Sequence, residues 1–141
     1  MKNIYEIFEE VEKSKTAKDR VLVLQYNQSY ALKSILKGMY DPNIEFVFDK
    51  IPEYKASDAP PGLGYNSIHQ EIQRAYLFEK NNPRTPPNLT MKRREEILIQ
   101  ILESMESKEA QVFANMIMKK KTSVKGLTYG IVKEAFPDIL V

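Results

Sequence analysis

Apolar positions recur at helical spacing along most of the chain. Ile4, Phe8 and Val11 lie three to four residues apart, with Glu6, Glu9, Glu10 and Glu12 on other faces. Thr16, with Asp19 three residues on, resembles a capping box in which Asp replaces Glu, and opens a second helix carrying Val21, Leu22 and Leu24. Residues 27–29 break the pattern. Tyr30, Leu32, Ile35, Leu36 and Met39 then form a third amphipathic helix, with Lys33 and Lys37 one turn apart on its polar face. Asp41 supplies a cap and Pro42 a first helical position, which predicts a short helix carrying Ile44, Phe46, Val47 and Phe48 up to Ile51-Pro52. Ile44 to Phe48 is also the one segment that competes as a strand. Its aromatics read as core before they read as a base-stacking platform.

Residues 53–65 form a loop containing Pro60-Pro61-Gly62-Leu63-Gly64. A Gly-x-Gly without a preceding strand is a weak nucleotide signal. Ser67 caps a helix with Ile68, Ile72, Ala75, Tyr76 and Phe78, and His69 near its start reads as a boundary residue, not a base. Residues 81–88, with Pro83, Pro86 and Pro87, are a second loop. Composition does not change across it, so one domain spans residues 1–141. Thr90 opens a helix from Met91 to Met105, with Ile97, Leu98, Ile101 and Leu102 inward. Its first turn holds Lys92, Arg93 and Arg94, cations that oppose the helix macrodipole unless a polyanion lies nearby. Ser107 caps a helix from Lys108 to Lys119, with Val112, Phe113, Met116 and Ile117 inward. The whole pattern predicts an all-α fold.

That last long helix runs into Lys119, Lys120, Lys121 and Lys125, four lysines within seven residues and no acid among them. Gly126 offers a position where φ can be positive. Thr128 caps a final short helix, Tyr129 to Ala135, which Phe136-Pro137 ends. Cations, a hydroxyl and helix-start amides together suit an anionic oxygen, most simply a phosphate. The same residues also fit a solvated basic turn between two core helices.

Composition narrows the chemistry. The 141 residues suffice for one domain with a real core, and 43% hydrophobic residues exclude a disordered chain. A net charge of +2 means that any nucleic-acid affinity must come from clustering of charge. With no cysteine, disulfides, thiolate metal sites and a cysteine nucleophile are excluded, and a single histidine disfavours a multi-histidine metal site or a Ser-His triad. Glu9-Glu10 and Glu95-Glu96 are adjacent pairs that diverge on a helix, so no carboxylates pair for catalysis. The expectation is a protein that is not an enzyme, with no catalytic residue, metal or cofactor. The first residues lack an apolar signal region and no run approaches a membrane span, which points to a soluble, cytoplasmic protein.

Two blocks resemble the N-terminal DNA-binding domain of ATP-dependent DNA ligases, especially those of tailed phages. Leu32 to Pro52 is similar to the family's helix ending in a Tyr-Asp-Pro bend, followed by aromatics and Lys-Ile-Pro. Met116 to Pro137 is similar to its closing motif, a basic residue leading to Gly-x-Ser, a short helix and an aromatic-Pro pair. Lys121 takes the arginine position, Gly126 the glycine, Thr128 the serine and Phe136-Pro137 the aromatic-Pro pair. Ser123 departs from the family's leucine, with Val124 nearby. The family continues into an adenylylation domain with a Lys-x-Asp-Gly nucleophile. This sequence has no such motif and stops about where that part would begin, so self-adenylation as those ligases perform it is not expected.

The resemblance implies a phage protein acting in DNA replication or repair, in the host cytoplasm, that binds double-stranded DNA, intact or nicked, through the sugar-phosphate backbone across the minor groove. Lys119, Lys120, Lys121, Lys125, Gly126 and Thr128 are the expected contacts, with Lys92, Arg93, Arg94, Lys33 and Lys37 as a second group. Four neutralised phosphates would give a slope of log affinity against log salt of roughly −3 to −4. The alternative is a protein-interaction module that reuses the ligase-domain fold to bind or inhibit a replication or repair partner, motivated by the near-neutral charge and the glutamate-rich first helix. A third is a DNA-gripping subunit for a separate ligase catalytic part.

Overall fold

The structure is a computed structural model that describes residues 2–60 and 64–140; Gly62, the first glycine of the Gly-x-Gly pair, lies outside them. Helix α1 (Ile4–Lys13) buries Ile4, Tyr5, Ile7, Phe8 and Val11. Helix α2 (Ala17–Tyr26) starts at Thr16, whose hydroxyl accepts the Asp19 N–H at 3.1 Å. It buries Val21 and Leu24, but Leu22, one residue after Val21 and two before Leu24, lies on the outer face and is 51% exposed. Helix α3 (Tyr30–Tyr40) starts at Ser29, whose hydroxyl accepts the Leu32 N–H. Leu32, Ile35, Leu36 and Met39 are fully buried, whereas Tyr30 stays exposed at the helix start.

The short helix expected after Pro42 does not form. The Asp41 carboxylate accepts the Asn43 N–H at 2.9 Å, a side-chain turn that diverts the chain from a helical start. Residues 44–48 run extended instead. The Val47 N–H donates to Phe78 O at 2.8 Å and the Lys80 N–H to Glu45 O at 2.7 Å, around an isolated antiparallel bridge between Phe46 and Glu79. Phe46 and Phe48 face inward at a period of two, so the competing strand reading describes this segment better. Among the described residues there is no longer strand pairing, and the fold is all-α.

Helix α4 (Ile68–Glu71) begins where the Gln70 side chain accepts the Ser67 N–H, and it tightens into a 3₁₀ helix over Ile72–Phe78 instead of continuing as one α-helix. Helix α5 (Met91–Ser104) is capped by Thr90, and helix α6 (Ser107–Ile117) by Glu106, whose carboxylate accepts the Glu109 N–H at 2.7 Å. The cap of α6 is therefore one residue earlier than Ser107, and the helix ends two residues before Lys119. Helix α7 (Tyr129–Ala135) follows the basic turn.

Helix α6 lies at the centre, packed on α3, α5 and α1, while α2 joins α1 to α7. The α3–α6 contact is close at Gly38, where a Cβ would sit 2.8 Å from Met116 Sδ. Phe78 stacks between Phe48, 5.7 Å away, and Phe113, 6.4 Å away and edge-on. Glu109, only 1% exposed, ties three helix starts together. Its two oxygens accept the Tyr5 N–H of α1 at 3.2 Å and the Ile68 N–H of α4 at 3.0 Å, from within the first turn of α6.

Candidate nucleic-acid interface

The basic turn is built on a helix end. Lys119 takes φ +51°, which reverses the chain after α6 while its N–H donates to Met116 O and that of Lys120 to Asn115 O. The Lys119 side chain is half-buried and its ammonium turns back onto the protein. It donates to Gly38 O and Asp41 O, each at 2.8 Å, and so caps carbonyls at the C-terminal end of α3. Burial, then the charge of Lys121, lowers its pKa from the usual lysine value, against the pull of Asp41, Glu45 and Glu79. Of the four lysines, Lys120, Lys121 and Lys125 are exposed, and their side chains make no hydrogen bond or ion pair among the described residues.

Tyr40 holds the turn from below. Its buried hydroxyl lies 2.6 Å from Lys121 O, to which it donates, and 3.2 Å from Leu127 O. Burial pushes this phenol up to about 12. Val124 and Leu127 anchor the turn apolarly, and Gly126 takes φ +84°. A Cβ on Gly126 would also come within 2.7 Å of Arg20 Nε and make that side chain shift, so the turn needs glycine for its conformation and Arg20 packs closely against it. Thr128 accepts the Ile131 N–H at 3.2 Å, the cap read from the sequence, and so occupies one of the helix-start amides itself. The Lys125 N–H is also taken, by a Glu12 carboxylate oxygen at 3.0 Å.

The structure thus brings together residues 32–52 and 116–137: Tyr40 and Asp41 of the first segment grip Lys119, Lys121 and Leu127 of the second. Lys33 lies over the Phe136 ring, 5.3 Å from its centre, at the far side of α7. Lys37 is exposed on the rim of a cavity of about 240 Å³ shared with Tyr30, Tyr76 and Arg84. The α5 group is separate in role. Arg94 donates through Nε to Leu77 O at 3.0 Å, closing the end of the 3₁₀ helix, and Arg93 sits 3.9 Å from Glu96, while Lys92 is exposed. No hydrogen bond or ion pair among the described residues links this turn to residues 118–128.

Arg20 and Glu12 were not evident from the sequence as parts of this surface. Each lies on a helix of mixed charge, and only the packing of α2 on α7 and α1 reveals their position. Among the described residues no group of three or more His, Asp or Glu could hold a metal ion, and no helix is long and apolar enough to cross a membrane.

No curated protein matches the chain at a significant level. A family model does, over residues 7–123, from within α1 to the lysine turn and short of Gly126 and Thr128. The chain belongs to the family of unknown function designated DUF6433.

Proposed function

We propose that this protein is a non-catalytic binder of duplex DNA that contacts sugar-phosphate backbone through the turn between α6 and α7. The observation that carries the reading is a cation cluster on a rigid mount. Lys120, Lys121 and Lys125 project from a turn fixed by Tyr40, Lys119 and Gly126, so they present charge without first having to order a loop. Ammonium groups act as point charges for phosphates and carry little sequence information. The resemblance to ligase DNA-binding domains supports the same surface and implies a role beside replication, repair or nick sealing. Binding of this type has a dissociation constant on the order of 10⁻⁴ to 10⁻⁶ M at ordinary salt.

The test is fluorescence-anisotropy titration of intact and nicked duplex over a salt series, with wild type beside Lys120→Gln/Lys121→Gln/Lys125→Gln. These side chains are exposed, so the variant should fold as wild type does. Loss of three phosphate contacts should make the salt slope shallower by about 2 to 3. A wild-type slope near zero, or no binding at low salt, would remove DNA from the account.

A protein-interaction module is the second reading, favoured by the outer face of α2 and the start of α3. Leu22 and Tyr26, one turn apart on α2, are 51% and 88% exposed, and Tyr30 at the start of α3 is 69% exposed, three large side chains left to solvent. Affinity capture from source cells with wild type and Leu22→Ser/Tyr26→Ser would address it. Recovery of the same proteins by both would dismiss that face as a docking site.

A further inference from the structure

The α1–α2 corner is a further basic segment of the chain, and the geometry points to it as the other half of the phosphate-binding surface. This inference rests on the DNA-binding reading and extends it to residues far from the α6–α7 turn in sequence. Lys13, Lys15 and Lys18 are exposed, and their side chains make no hydrogen bond or ion pair among the described residues. Two direct contacts join their segment to the basic turn. Arg20 donates through NH2 to Ser14 O at 3.1 Å while its guanidinium packs against Gly126, so one side chain spans from the corner to the turn. On the other flank Glu12 accepts the Lys125 N–H. Lys13 follows Glu12 and Lys15 follows Ser14, the residues hydrogen-bonded to Lys125 and to Arg20, and Lys18 lies in the first turn of α2.

The charge placement needs an explanation that the fold alone does not supply. Lys13 lies in the last turn of α1, where a cation complements the macrodipole. Lys15 and Lys18 do the opposite. They flank the N-terminus of α2, where positive charge is unfavourable unless anions lie close, and Asp19 is the only acid in that first turn. Glu12 accepts the Lys125 amide, and the exposed Glu12 and Asp19 are outnumbered on this corner by Lys13, Lys15, Lys18 and Arg20, so it carries net positive charge. A polyanion that crosses both segments resolves this arrangement, and duplex DNA presents phosphates continuously along such a path. With the α6–α7 turn, the surface offers six exposed ammonium groups, Lys13, Lys15, Lys18, Lys120, Lys121 and Lys125.

Six contacts correspond to a salt slope of roughly −5, against about −3 for the α6–α7 turn alone. The experiment is anisotropy titration of one intact duplex with wild type, with Lys13→Gln/Lys15→Gln/Lys18→Gln, and with the corresponding triple variant of the turn. Each variant should make the slope shallower by about 2 to 3. Because the chain has no cysteine, Lys15→Cys and Lys125→Cys can each carry a single azidophenacyl group. Both should cross-link to the duplex on irradiation. A corner variant with the wild-type slope, together with cross-linking from position 125 and none from position 15, would overturn this inference and leave the α6–α7 reading standing. No binding by wild type would overturn both.

Discussion

Lys119 shows how strongly one position can be redirected by its neighbours. A side chain at φ +51° is crowded, and a glycine there would relieve roughly 1 to 2 kcal/mol. The lysine is kept in that conformation while its ammonium satisfies two carbonyls at the end of α3. Lys119→Ala loses those bonds and keeps the strain, so urea unfolding should show a destabilisation of about 1 to 3 kcal/mol. Lys119→Gly should be more stable than Lys119→Ala by about 1 kcal/mol, and equal midpoints would show that backbone strain is absent. Tyr40 allows a second test at this scale. Its folded pKa is raised to about 12 above an ordinary value of 10, so its contribution is complete below pH 10 and is lost as pH rises through 12. Tyr40→Phe should cost about 1 kcal/mol at pH 7 and should lose less stability than wild type between pH 10 and 12. The sequence marked Tyr40 as part of a bend and Lys119 as one of four similar lysines. Their pairing with each other's segments bridges about 80 residues, and local spacing carries no record of it.

At the scale of elements, periodicity and capping residues located seven α-helices and their first residues well, because both signals act within four positions. Thr16, Ser29, Thr90 and Thr128 each accept the backbone N–H three residues on, as their chemistry requires. Three readings differ from the structure: the segment 44–48, the α6 cap, and the helix after Ser67, which tightens into a 3₁₀ helix from Ile72. Residues 44–48 carry a helix-start signal, yet their amides and carbonyls find partners across the molecule in Phe78 and Lys80. Glu106 takes the place of Ser107 as the α6 cap, its carboxylate accepting the Glu109 amide three residues on, the same span as the Ser and Thr caps. The α7 cap yields a measurable consequence. Thr128→Ala should lower stability by about 1 kcal/mol and Thr128→Ser by much less, read as thermal midpoints. Equal losses in the two variants would assign the effect to the methyl group instead of the hydroxyl.

For the whole molecule the joining element is Glu109. Desolvation by burial raises its carboxyl pKa, and the charge of Glu106 adds to this. The amides of Ile68 and Tyr5, and then His69, pull it down. A folded pKa above the unfolded value of 4.5 means that the folded state binds this proton more tightly. Its contribution to stability therefore grows as pH falls from the folded value towards 4.5, and is absent well above it. Glu109→Gln should flatten that part of the urea-midpoint profile, measured between pH 4.5 and 7; an unchanged profile would exclude Glu109 as the titrating group. Glu109→Ala leaves two helix-start amides buried and unmatched, which should cost about 1 to 3 kcal/mol for each. The sequence places Glu109 on a charged stretch of α6 and gives no sign that it faces inward, because the amides it serves come from two other helices.

The hydrogen bond between Tyr5 and Glu109 spans 104 residues, and this separation sets a schedule for the chain as it is made. At 5 to 20 residues per second, α1 waits roughly 5 to 20 s on a ribosome before its anchor has even been synthesised. During that interval its apolar stripe, Ile4, Ile7, Phe8 and Val11, has α2 to lean on and little else. Native closure therefore waits for α6, and the young chain is most exposed to association with its neighbours while that helix is still unmade.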